Sequence, residues 1–102
     1  MRIIKRLPLL QFAAKWPAAA GPLNEWYRLT LKANWNNFAD VKRTFGQTDQ
    51  ARVGSGATVL IFDIGGNKFR LIAGVSDPKG KIYVLRIYTH KEYDRELWKK
   101  QL

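Results

Sequence analysis

The 102-residue sequence predicts an α+β fold: an N-terminal helical hairpin packed on a small antiparallel β-sheet, followed by a short C-terminal helix. Three observations lead there. Apolar residues recur at helical spacing through the first third of the chain. From residue 58 onward they run continuously or alternate, as strands do. Near residue 89 a helix-start signature returns.

Residues 2–5 read as a short edge strand. Leu9, Phe12, Ala13 and Trp16 then fall at i, i+3, i+4 and i+7, one face of a helix that Pro8 can open and Pro17 should end. Residues 18–22 read as a connector. A second helix is expected from about Pro22 to Ala33, with Leu23, Trp26, Tyr27, Thr30 and Leu31 as its buried stripe and Glu25, Arg28 and Lys32 in water. Phe38 to Phe45 has room for one or two further helical turns before Gly46, and Ala51–Val53 for a short strand.

Thr58–Ile64 is nearly all apolar, as a buried central strand would be. Gly65-Gly66-Asn67 is a turn. Lys68–Val75 alternates, with Phe69, Leu71, Ala73 and Val75 on one face and Lys68, Arg70 and Ile72 on the other. Asp77-Pro78-Lys79-Gly80 has the composition of a tight turn, and Lys81–Tyr88 returns as the next strand. Thr89 and Glu92 have capping-box spacing, so a last helix should begin there, carry Tyr93, Leu97 and Trp98, and end in Lys99-Lys100. Without repeats or a linker, residues 1–102 read as one domain.

Composition narrows the function classes. Eighteen Lys and Arg against 8 Asp and Glu give a formal charge of +10, a field that draws in polyanions. Nucleic acid is the first partner this suggests; an acidic protein is the second and an anionic membrane the third. The absence of cysteine removes disulfide scaffolds, thiol catalysis and Cys-based zinc sites, and fits a cytoplasmic setting. With one histidine and scattered carboxylates, neither a metal nor another cofactor is expected. The apolar run after Lys5-Arg6 is too short and too polar for a secretory signal, and nothing has transmembrane length, so no membrane partner is expected.

Turn chemistry sharpens the picture. A three-residue loop at Pro78–Gly80 would pair Asp77 with Lys81, and hence Ile72 with Arg86 and Arg70 with Tyr88. Opposed residues share a face, so Arg70 and Arg86 become diagonal neighbours roughly 7 Å apart at the backbone. Two adjacent arginines repel. A phosphate held by both would compensate them, and so would separate ion pairs with carboxylates such as Asp63 or Asp94; spacing alone leaves both open. His90, the only histidine, falls in the first turn of the last helix, where the helix dipole disfavours an imidazolium and suits a base. The same residues also serve simply as a helix cap.

Two blocks carry a family resemblance. Phe62-Asp63-Ile64-Gly65-Gly66-Asn67-Lys68-Phe69-Arg70-Leu71 resembles a block of the HigB toxins, and Thr89-His90-Lys91-Glu92-Tyr93-Asp94, after a strand bearing Arg86, resembles a second. Trp26-Tyr27-Arg28, Ala33-Asn34-Trp35 and Phe38-Ala39-Asp40-Val41-Lys42 match as well. Asp63 stands where Asn is usual, and Phe69 where Tyr is frequent. The resemblance implies a RelE-like fold and a toxin–antitoxin system. It implies metal-independent cleavage of mRNA, usually on the ribosome, by attack of a 2′-OH on the adjacent phosphate. A cognate antitoxin, HigA-like with a helix-turn-helix, would neutralise it. On that reading Arg70, Arg86, His90 and Tyr93 are the catalytic candidates, and Asn67, Lys68 and Lys91 contact RNA. A non-catalytic RNA- or ribosome-binding module is the alternative, and a structural domain holding an acidic partner a third.

Overall fold

A computed structural model describes residues 1–76, 80–94 and 98–102, without the side chains of Trp98 and Gln101. The order of elements is β1 (Arg2–Ile4), α1 (Leu7–Lys15), a 3₁₀ turn (Pro17–Ala19), α2 (Ala20–Lys32), α3 (Phe38–Thr44), β2 (Asp49–Arg52), β3 (Thr58–Ile64), β4 (Phe69–Ser76), β5 (Lys81–Thr89), α4 (His90–Asp94) and α5 (Trp98–Gln101). The sheet runs β1-β5-β4-β3-β2. Its pairs are antiparallel except β1 with β5, which is parallel.

The helical hairpin covers one face of the sheet. Leu9 of α1 and Leu23 and Trp26 of α2 pack on Phe62, Phe69 and Leu71 of β3 and β4. The rings interlock by edges and faces. Phe12 meets Phe69 edge-on at 5.5 Å between centroids; Trp26 and Phe45 do the same to Phe62 at 5.4 Å, while Trp35 stacks on it at 6.1 Å. Such pairs add to ordinary burial because ring edges and faces carry opposite partial charge. The opposite face holds a smaller cluster of Val53, Val59, Ile61 and Ile72, against which Leu85, Tyr88, Tyr93 and Leu102 rest.

Three details differ from the expected course. Residues 18–22 are not a plain connector: Pro17 opens a 3₁₀ turn that passes straight into α2. Leu31, expected in the buried stripe of the second helix, is 46 % exposed. The second strand starts at Asp49 rather than Ala51. Residues 77–79 of the expected turn lie outside the described residues, as do residues 95–97 of the last helix, so α4 and α5 are described separately.

The largest difference is in register. Ser76, not Asp77, pairs with Lys81, and Ala73 pairs with Val84. Carried through unchanged, that offset would set Arg86 opposite Leu71, on the helix-covered face. An irregularity between Ile72 and Ala73 intervenes: Ile72 pairs with Arg86 and Arg70 with Tyr88. Leu85 is the extra residue of a β-bulge. It switches the parity of β5, so that Ile82 and Val84 before it and Ile87 after it all face the helices. Arg86 is thereby turned to the side that Arg70 occupies.

Candidate nucleic-acid site on the open face

The β3–β4 turn begins the site. Gly65 and Gly66 both have positive φ, +64° and +71°, a backbone region that suits glycine. The turn brings exposed Asn67 beside β4, where its Oδ1 accepts a hydrogen bond from Nη2 of Arg70. Nη1 of Arg70 donates to the Phe69 carbonyl at 3.1 Å. Nε lies 3.3 Å from Oδ1 of Asp63, directly across the β3–β4 ladder. The Tyr93 ring covers the guanidinium at 5.5 Å, a cation–π contact. Arg70 is therefore 8 % exposed and held on several sides.

Arg86 is its opposite. It is exposed, and its described hydrogen bond is from Nη1 to the neighbouring Leu85 carbonyl at 2.7 Å. Among the described residues no carboxylate forms an ion pair with it. The two outcomes left open by spacing are thus divided among the described residues: Arg70 takes a carboxylate partner, and Arg86 has none.

α4 closes the edge of this face. The capping box forms as the sequence implies: Thr89 N donates to Glu92 Oε1 at 3.0 Å, and Glu92 N donates to Thr89 Oγ1 at 3.2 Å. The His90 backbone N donates to the Lys68 carbonyl at 3.0 Å, tying the helix start to the end of the β3–β4 turn. Nε2 of His90 stands 3.2 Å from Oδ2 of Asp94 one turn on. Nδ1 of the same ring is buried and makes no hydrogen bond among the described residues. Asp94 in this role escaped the sequence reading, although its i, i+4 spacing from His90 was available to find it. Tyr93 is half-buried in the small cluster, so its ring serves packing and Arg70 together. Lys68 and Lys91 are exposed beside the turn and on α4.

Asp63 has a conflicted setting. Burial raises its carboxyl above the ordinary value; Arg70 opposes the rise, Asp49 adds to it, and His90 opposes it. A cleft of about 620 Å³ opens beside the same turn, between α2 and residues 63–66, so that Asp63 also lines it. Its walls are largely apolar, with Pro22, Trp26, Leu29 and Phe45, and neither arginine lines it.

Residues 19–96 match the family model described as the RelE-like toxic component of a toxin–antitoxin system, HigB toxin. The chain belongs to the HigB toxin family. It is 30% identical over 95 residues to a protein named mRNA interferase HigB from Escherichia coli O6:H1, covering 93% of this chain and 90% of that one. Proteins of the same name from Escherichia coli O157:H7 and Shigella flexneri are each 28% identical over 94 residues, covering 92% of this chain and 88% of theirs. The HigB match takes in both blocks of the site, the β3–β4 turn and α4. No helix among the described residues is long and apolar enough to cross a membrane.

Proposed function

We propose that this HigB-family chain is the toxin of a toxin–antitoxin pair and an endoribonuclease that cleaves mRNA on the ribosome. The observation that carries the reading is the shared open face: Arg70 and Arg86 diagonal across β4–β5, with His90 at the edge of that face on the capped start of α4. The names of its relatives, mRNA interferases, support the substrate class.

RNA carries its own nucleophile, so the protein need only orient and stabilise. The His90 imidazole, whose Nε2 stands beside Asp94, takes the proton from a 2′-OH. The 2′-oxygen bonds to phosphorus as the bond to the 5′-oxygen breaks, leaving a 2′,3′-cyclic phosphate; the 5′-oxygen departs with a proton taken from solvent water. Arg86, and Arg70 from its fixed seat, stabilise the charge on the pentacoordinate phosphorus. Lys68 and Lys91 hold neighbouring phosphates, and Tyr93 and Asn67 keep Arg70 in place. A HigA-like helix-turn-helix antitoxin would cover the basic surface, and the whole would act in the cytoplasm as one domain spanning 1–102.

Expression of the chain alone, with mRNA followed by primer extension, tests this. Growth arrest with new transcript ends is expected for the wild type, and neither for Arg70→Ala or Arg86→Ala. Arrest with intact transcripts would overturn nuclease action and favour a non-catalytic ribosome-binding module.

A further inference from the structure

Arg70 already has a negative partner, and that fact bears on how it could take another. Asp63 faces it across the ladder at 3.3 Å, and the pair is drawn in: the side chains are 10% and 25% exposed. A phosphate arriving at Arg70 meets a guanidinium whose charge is balanced. It also meets Asp63 itself and, beyond it on β2, Asp49. Two like charges around one cation in a partly dry site raise each other's energy. The repulsion is relieved if the carboxyl takes up a proton as the phosphate lands.

We propose that Asp63 is a proton-operated latch on Arg70: as a carboxylate it occupies the arginine, and RNA phosphate engages that arginine together with protonation of Asp63. This rests on the reading of the open face as an RNA site and adds a residue that sets its pH response. Burial of the carboxyl already favours the protonated form, so the latch starts part of the way to release. The sign follows from linkage. Binding that takes up a proton tightens as pH falls, by at most about tenfold per pH unit for one proton, between the pKa of the free and the bound protein. Asp63 acts as a positioning residue; it need not touch the reacting atoms.

Among the described residues, the groups that act on Asp63 are Arg70 from β4, Asp49 from β2 and His90 from α4. To keep the imidazole out of the comparison, every protein carries His90→Gln. The probe is a mixed-sequence oligoribonucleotide, 2′-O-methylated throughout so that it cannot be cut, with binding read by fluorescence anisotropy at constant salt between pH 5 and 7.5. The parent should bind more tightly as pH falls. Adding Asp63→Asn, near in size and unable to ionise, should tighten binding about three- to tenfold at pH 7.5 and flatten the pH profile. Adding Asp49→Asn should shift the profile by less and keep its slope. A flat parent profile overturns the latch, as does a slope that survives Asp63→Asn, or weaker binding in that variant at pH 7.5. If Arg70→Ala and Arg86→Ala leave binding unchanged, the RNA face itself is refuted and the latch with it. Loss of binding in both arginine variants beside an unchanged Asp63→Asn variant refutes the latch alone.

Discussion

The two faces of the sheet use the same strands for opposite ends. On the helix-covered face, Phe62, Leu71, Ile82 and Val84 are each at most 1 % exposed, and the helices lock them with apolar and aromatic contacts. On the open face the cluster around Ile72 is smaller, and between its apolar residues stand Asp63, Arg70, Arg86 and Tyr88. One face supplies the stability from which the other can carry charge. The join between them is the bulge at Leu85. Residues before it follow the register set at the turn, and residues after it are shifted by one, which moves Arg86 across the sheet.

The comparison breaks most easily on the covered face. Phe62→Ala should cost about 3–5 kcal/mol, because the ring touches Trp26, Trp35 and Phe45 and its loss leaves a cavity. Urea denaturation would read this as a lower midpoint. A cost below about 1 kcal/mol would mean that the aromatic cluster is not the core. Arg86→Ala should do the reverse: stability within about 0.5 kcal/mol of wild type, and RNA cleavage reduced by about 10²–10³. Equal loss of stability and activity would erase the distinction between the faces. Thr89→Ala removes one half of the capping box and should cost about 1 kcal/mol. It should also lower cleavage, since His90 rides on that helix start, and rescue by Ser would assign the effect to the cap.

The smallest effect is the sharpest test of Asp63. Its folded carboxyl sits above the ordinary value of 3.8, so the native state binds that proton more tightly than the unfolded chain. The associated stability is present below the unfolded value and lost as pH rises through the folded one. Asp63→Asn should therefore match or exceed wild type at pH 7, by less than about 1 kcal/mol, with the gap closing toward pH 4. A gap that widens on acidification would show the ion pair with Arg70 outweighing burial.

Periodicity made much of the fold legible. Strands 58–64 and 69–76 and both helices of the hairpin could be read because their apolar residues repeat at the spacing of one buried face. The turn composition also implies the pairing of Arg70 with Tyr88, but by way of Asp77 opposite Lys81, where the strands set Ser76, and the bulge makes up the difference. A clue was present in the apolar positions 82, 84 and 87, whose parity changes midway. The parallel pairing of β1 was not legible, because three residues carry too little pattern to choose a neighbour. At the site, the residue types pointed to Arg70, Arg86 and His90. Which arginine is occupied and which is available depends on burial, and a linear sequence does not state that.

The parallel pairing of β1 with β5 has a consequence in time. Arg2, Ile3 and Ile4 lie beside Lys81, Ile82 and Tyr83, so β1 finds its neighbour only after the intervening β2, β3 and β4 have been made. Contacts this distant in sequence form late, since a long loop must close before they return anything. The pairing of β5 with β1 therefore closes the sheet after its other strands have been made. A growing chain that has not reached β5 holds neither the finished sheet nor Arg86.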